Sequence, residues 1–143
     1  MKVSDAMTSG AETVRPDATL QEAAETMRRL DIGPLPVCDG TKVLGVLTDR
    51  DITVRATAEG RDPFTTLVRD VMTSDVLYVY EDQHLEEATR VMEQNQVRRL
   101  IVLDREKNLA GILSLGDVAL AGEDEEMKAD MLEAVSQPGG PAR

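Results

Sequence analysis

Gly45-Val46-Leu47-Thr48-Asp49-Arg50-Asp51-Ile52 returns 66 residues later as Gly111-Ile112-Leu113-Ser114-Leu115-Gly116-Asp117-Val118. Upstream the offset is 65. It carries Ala6-Met7-Thr8 to Val71-Met72-Thr73, and Val14, Asp17, Leu20, Glu22, Ala23 and Met27 to Val79, Asp82, Leu85, Glu87, Ala88 and Met92. Ile32, Leu35, Val37 and Asp39 likewise meet Val97, Leu100, Val102 and Asp104. So many type-matched positions at a near-constant offset identify an internal duplication. Two copies imply two similar backbones, so aligned positions that differ are the informative ones.

Each copy reads locally as β-α-β-β-α. Leu20, Ala23, Ala24, Met27 and Leu30 fall on one helical face, as do Leu85, Ala88, Val91 and Met92. The apolar runs Leu35–Cys38 and Leu100–Leu103 are too short for helices and read as buried strands; Val43–Leu47 and Leu109–Leu113 are the next strands. Asp39-Gly40-Thr41-Lys42 is a tight hairpin connection. A helix is expected from Asp51 to about Glu59, stopped by Gly60 with Pro63 beyond. The spans are residues 1–60 for the first repeat, 61–67 for a linker, 68–121 for the second, and 122–143 for an acidic helix and tail. One such unit leaves a sheet face bare, so an α/β (α+β) fold with the two copies packed sheet to sheet is expected.

Composition narrows the function classes. The chain has 143 residues with no Trp, one Phe and two Tyr, so its core must be aliphatic and stacking platforms for bases are scarce. A net charge of −11 with no basic stripe argues against nucleic-acid binding. The single cysteine, Cys38, excludes an internal disulfide and reads as a small core residue. His84, the only histidine, precedes a helix and reads as a solvated side chain, with no metal role expected. No P-loop, nucleophile elbow or Cys-His pair is present, so catalysis is not expected. The opening residues carry no apolar leader and no eighteen apolar residues run together, so a cytoplasmic protein without membrane attachment is expected.

The ordered landmarks resemble the CBS domain, which occurs in tandem pairs. They are Asp5-Ala6-Met7-Thr8, Val14-Arg15-Pro16-Asp17, Ile32–Val37 and Gly45–Ile52 in the first copy. Arg69–Thr73, Val97–Val102 and Gly111–Val118 carry them in the second, and the likeness spans about residues 1 to 121. The resemblance implies a pseudo-twofold pair with two clefts that bind AMP, ADP or ATP, less readily NAD or S-adenosylmethionine, with no cofactor required. It also implies a homodimer. The apolar residues Val3, Ala6, Met7, Val68, Val71, Met72, Ile52 and Val118 are expected to supply its interface.

By the same resemblance, one cleft joins Thr48, Arg50 and Asp51 to Val76, Leu77, Val97 and Arg98. The other joins Ser114 and Asp117 to Thr13, Ile32, Gly33 and Pro34. The aspartates would accept from ribose hydroxyls, and the Thr or Ser would contact ribose or phosphate. Chemically this is sensible, because an ionised carboxylate accepts from two vicinal hydroxyls. The competing reading is local: Ser or Thr three residues before an acid is close to a capping box and needs no ligand. Arg50 and Arg98 stand where the other copy has Gly116 and Gly33, which favours the first cleft for phosphate. The alternatives are therefore an adenosyl-sensing regulatory module, whose protein partner is not legible, and a ligand-free dimerisation scaffold.

Overall fold

Short apolar runs become strands and the 3.6-residue stripes become helices. The computed structural model describes residues 1–121. In chain order the elements are α1 (Val3–Ala6), β1 (Thr8–Ser9), α2 (Leu20–Leu30), β2 (Leu35–Asp39), β3 (Lys42–Leu47) and α3 (Asp49–Asp51). The chain winds on from α3 as a π-helical stretch, Ile52–Thr57. There follow α4 (Val68–Val71), β4 (Tyr78–Tyr80), α5 (Leu85–Asn95), β5 (Arg99–Leu103), β6 (Leu109–Ser114) and α6 (Leu115–Ala121). This is the mixed α/β content expected. The expected acidic helix of 122–143 lies outside the described residues.

The chain divides into two compact units that do not follow the repeats. One is Glu12–Val76; the other joins Met1–Ala11 to the chain from Leu77 onward. In the first unit β2 and β3 form an antiparallel hairpin, Val14 bridges Val37 in parallel and Thr73 bridges Val46. In the second, the sheet order is β1-β6-β5-β4, with β4 parallel to β5 and the other pairings antiparallel. The two sheets are the same arrangement at two degrees of completeness. In each, the outermost strand comes from the leading segment of the other repeat: Thr73 on β3, and Thr8–Ser9 on β6.

A repeated glycine makes that pairing possible. A Cβ on Gly45 would stand 2.6 Å from the carbonyl oxygen of Thr73 and 3.0 Å from Sδ of Met72. On Gly111 it would stand 2.5 Å from the carbonyl oxygen of Thr8 and 3.1 Å from Sδ of Met7. The backbone approach leaves room for hydrogen only, which gives a physical reason for glycine at both places.

Each unit has its own aliphatic core. Leu20, Ala23, Met27, Leu35, Val37, Leu47, Ala56, Val68 and Val71 form one with Val14. The other gathers Val3, Val79, Leu85, Ala88, Met92, Leu100, Val102, Leu113 and Val118. On α2, Leu20, Ala23 and Met27 face inward as the stripe predicts, but Ala24 is exposed. It lies about 100° round the helix from Ala23, on the far edge of the buried stripe.

Two helix starts are supplied from a distance. The Leu20 and Gln21 N–H groups donate to the carbonyls of Thr66 and Pro63 at 3.0 and 3.1 Å, so the linker satisfies orphan donors of α2. The Leu85 N–H donates to the Met1 carbonyl at 2.9 Å in the equivalent way. The helix expected over Asp51–Glu59 instead begins at Asp49 and widens, with the Ala58 N–H reaching the Thr53 carbonyl five residues back. Gly60, at φ 72°, ends it as expected.

The expected dimer surface needs correction. Val3, Val68, Val71 and Val118 are 0–1% exposed and belong to the cores of their own units, so they are not spare apolar surface. Exposed apolar side chains sit elsewhere, among them Val54 and Leu120. Among the described residues, no helix is long and apolar enough to cross a membrane.

Candidate functional site

Both Ser/Thr-x-x-Asp motifs fall where a strand turns into a helix, and both form capping boxes. The Asp51 N–H donates to Thr48 Oγ1 at 3.0 Å, and the Thr48 N–H donates to Asp51 Oδ2 at 3.0 Å. After β6 the Asp117 N–H donates to Ser114 Oγ at 3.0 Å, and the Ser114 N–H donates to Asp117 Oδ2 at 2.9 Å. The local reading therefore holds at both sites, and capping consumes one carboxylate oxygen of each pair.

Beyond the cap the two sites diverge. Asp51 also accepts from the Thr73 hydroxyl, at 3.3 Å to Oδ1, and Arg55 Nε stands 3.9 Å from the same oxygen. Arg55 also donates from Nη1 to the Met72 carbonyl at 3.2 Å, satisfying an orphan acceptor just past α4. Asp51 is the one carboxylate among the buried residues described. Asp117 is half-buried and accepts only from Ser114 among the described residues.

The remaining expected residues are placed unit by unit. In Glu12–Val76, Thr13 and Arg50 are exposed, Ile32, Pro34 and Val76 are half-buried, and Gly33 is buried before β2. In the other unit Leu77 and Arg98 are exposed and Val97 is half-buried. The Leu115 N–H donates to the Arg98 carbonyl at 2.8 Å, and Arg99 lies directly opposite Ser114 in the β5–β6 register. Arg98 and Arg99 therefore adjoin the Ser114–Asp117 turn along the sheet. No ion pair among the described residues engages either guanidinium.

Other titratable groups are structural. Burial pushes the Cys38 thiol up, consistent with a small core residue. The Arg105 guanidinium bonds to Asp82 and holds that carboxyl below its ordinary value, while lying 4.2 Å from the Tyr80 ring centre. The Gln83 amide holds Glu87 low, helped by the His84 N–H. Glu87 thus caps α5, the structural role its repeat of Glu22 suggested. Among the described residues no group of three or more His, Cys, Asp or Glu could hold a metal ion.

Sequence reading passed over Thr73 and Arg55. Thr73 was visible only as the end of a repeated triplet. Arg55 was visible as a break in the repeat, since the same offset places Ala121 opposite it.

The family model for the CBS domain matches residues 3–56 and 68–124. The chain is 40% identical over 134 residues to the CBS domain-containing protein YhcV of Bacillus subtilis, covering 94% of each. It is 40% identical over 116 residues to Hypoxic response protein 1 of Mycobacterium tuberculosis, covering 80% of each. A crystal structure of Hypoxic Response Protein I with two coordinated zinc ions superposes with a TM-score of 0.76 at 37% identity, over 84% of this chain and 98% of that one. The crystal structure of CBSX2 in complex with AMP superposes with a TM-score of 0.73 at 29% identity, over 84% of this chain and 94% of that one.

Proposed function

We propose a function from this premise: the chain belongs to the CBS domain family. Its role is regulatory rather than catalytic. It binds an adenosyl ligand, with AMP the first choice over ADP and ATP. The observation that carries the reading is the AMP complex of CBSX2, a similar chain of nearly equal extent. The chain's own residues supply suitable chemistry. In the one cleft Arg98, which no ion pair engages among the described residues, can fork onto a phosphate; in the other, half-buried Asp117 accepts only from Ser114 among the described residues and can take hydroxyls. By the family resemblance, Thr48, Arg50, Asp51, Val76, Leu77, Val97 and Arg98 belong to one ligand cleft. Thr13, Ile32, Gly33, Pro34, Ser114 and Asp117 belong to the other.

A ligand regulates only by favouring one conformation over another, so binding must change the contact with a protein partner. Homodimerisation is part of this reading. Val54 and Leu120 are 47% and 90% exposed, and the offset that carries Asp51 to Asp117 carries Val54 to Leu120. Exposed apolar side chains of this kind can supply an isologous interface, the same patch meeting itself on a second chain. Calorimetric titration with AMP, ADP, ATP, NAD and S-adenosylmethionine tests the ligand, with saturable AMP binding expected. No heat with any of the five would leave the scaffold reading in its place. Light scattering tests the dimer, and a monomer mass throughout the micromolar range would refute it.

A further inference from the structure

Both units are closed by the same contact, a methionine seated on a glycine. Met72 precedes Thr73, whose N–H and carbonyl each pair with Val46 on β3 at 2.9 Å. Its Sδ lies 3.0 Å from the place a Cβ would take on Gly45. Met7 precedes Thr8, which pairs with Ile112 on β6, and its Sδ lies 3.1 Å from the same place on Gly111. Each thioether thus occupies room that a side chain on the glycine would claim, and each methionine also packs on the core of its own unit. The duplication kept both halves of the contact, the methionines at an offset of 65 and the glycines at 66.

The other methionines lack this combination of access and consequence. Met27 and Met92 are 7% and 0% exposed, closed to solvent by their cores. Met1 is 56% exposed and belongs to neither core. Met127 and Met131 lie outside the described residues. Among the described residues Met7 and Met72 alone are half-buried methionines, within reach of a small oxidant and packed where a change of shape is felt.

We propose that Met7 and Met72 form a paired, reversible oxidation switch that loosens the outermost strand of each unit. The oxidant is a hydroperoxide. A sulfur lone pair attacks one peroxide oxygen, the O–O bond breaks and an S–O bond forms. The proton of the transferred oxygen passes to the departing one, which leaves as water; the thioether loses two electrons and the peroxide gains them. A sulfoxide is polar where the thioether was apolar, and its oxygen only accepts hydrogen bonds. The seat offers it no donor: the Cβ place on Gly45 is 2.6 Å from the Thr73 carbonyl oxygen, and that on Gly111 is 2.5 Å from the Thr8 carbonyl oxygen. Acceptor would face acceptor, so the oxidised side chain swings toward water and its strand loses packing against the core. Reduction back to the thioether restores the seat. None of this requires that an adenosyl ligand binds.

The full chain is treated with hydrogen peroxide, and oxidation at each methionine is followed by peptide mass spectrometry beside melting and amide exchange. Met7 and Met72 are expected to gain oxygen about tenfold or more faster than Met27 and Met92. Tm is expected to fall by about 3–10 °C, with faster exchange at Val46 and Thr73 and along the β1–β6 pairing. Methionine sulfoxide reductases for both epimers, with a dithiol reductant, are expected to restore both readouts. Leucine keeps the volume and removes the reactive sulfur. Met72→Leu is therefore expected to protect only the Val46–Thr73 pairing from peroxide, and Met7→Leu only the β1–β6 pairing, each unit serving as the other's control. The double variant should hold its Tm in peroxide, which separates these residues from Met1, Met127 and Met131. Four results would each overturn the switch: oxidation of Met7 and Met72 no faster than of Met92, an oxidised chain with untreated Tm and exchange, the same fall in Tm in the double variant, or no recovery after reduction.

Discussion

Replacing Gly45 with alanine tests whether the close approach of the Thr73 segment holds the Glu12–Val76 unit together. The new Cβ would lie 2.6 Å from a backbone carbonyl oxygen, inside the 3.0 Å that real Cβ atoms essentially never breach. Met72 Sδ, at 3.0 Å, can yield because it ends a flexible side chain, but the carbonyl can move only with its backbone. That carbonyl accepts from the Val46 N–H, and the Thr73 N–H donates back, both at 2.9 Å. Overpacking of this kind costs about 1–3 kcal/mol, and each weakened hydrogen bond adds about 0.5–1.5 kcal/mol. We therefore expect a loss of about 2–4 kcal/mol by denaturant titration. That corresponds to a fall in Tm of about 6–16 °C. Gly111→Ala, 2.5 Å from the Thr8 carbonyl, should do the same to the other unit. Gly116→Ala is the control of opposite sign. Its Cβ meets only Ser114 Oγ at 3.6 Å, and alanine in α6 should stabilise by about 0.5–1 kcal/mol. Wild-type stability in Gly45→Ala would mean that the approach is loose and the reasoning wrong.

Three further outcomes follow from single residues. Met92 is fully buried in the core of its unit, so Met92→Ala should cost about 2–5 kcal/mol in a urea titration, against a few tenths for exposed Val54→Ala. Cys38 is buried with its thiol pushed up, so an aromatic disulfide reagent at neutral pH should label it only as fast as the chain opens; labelling at the rate of a free thiol would contradict that burial. Asp82 and Glu87 are both held below their ordinary values, so the stability they contribute is present above the unfolded carboxylate range, about pH 4, and is lost as pH falls through their folded values. The urea midpoint should drop between about pH 5 and pH 3, and Asp82→Asn should flatten part of that drop; an unchanged slope would assign the acid sensitivity to other carboxylates.

Most of the strand and helix pattern was legible because the signals were local. Leu35–Asp39 and Arg99–Leu103 are short apolar runs bounded by turn residues, and α2 and α5 show a clear apolar stripe. Asp31 and Gln96 end those helices at φ 54° and 53°, one more pair related by the 65-residue offset. What stayed hidden was anything that depends on where a segment goes after it leaves its own repeat. The apolar residues of Val3–Ala6 and Val68–Val71 looked like surface awaiting a second chain. In the structure they fill cores built on the other repeat. Periodicity reports that a face is apolar, not what covers it. The widening of the helix after Asp51 was equally invisible, since a π turn shifts the hydrogen-bond partner by one residue and leaves composition unchanged.

The capping motifs show why sequence could frame the candidate site and rank its halves only by their arginines, Arg50 and Arg98 against Gly116 and Gly33. Thr48-x-x-Asp51 and Ser114-x-x-Asp117 obey the same local rule, and the structure draws the same pair of hydrogen bonds at each. Their difference lies 22 residues away from Asp51 in sequence, at Thr73, and on the next helical turn, at Arg55. Once a gene segment is doubled, each copy of a motif is free to keep the half of its chemistry that the other does not need. A carboxylate held by a hydroxyl and a guanidinium gains fixed geometry and gives up acceptor capacity. Asp117, which among the described residues accepts only from its cap, retains more of that capacity. The arginines differ too: Arg55, though exposed, donates to the Met72 carbonyl, while no ion pair among the described residues engages Arg98 or Arg99 beside Ser114. Identical caps thus leave the two aspartates in unequal surroundings, because the groups that further engage Asp51 lie outside the motif.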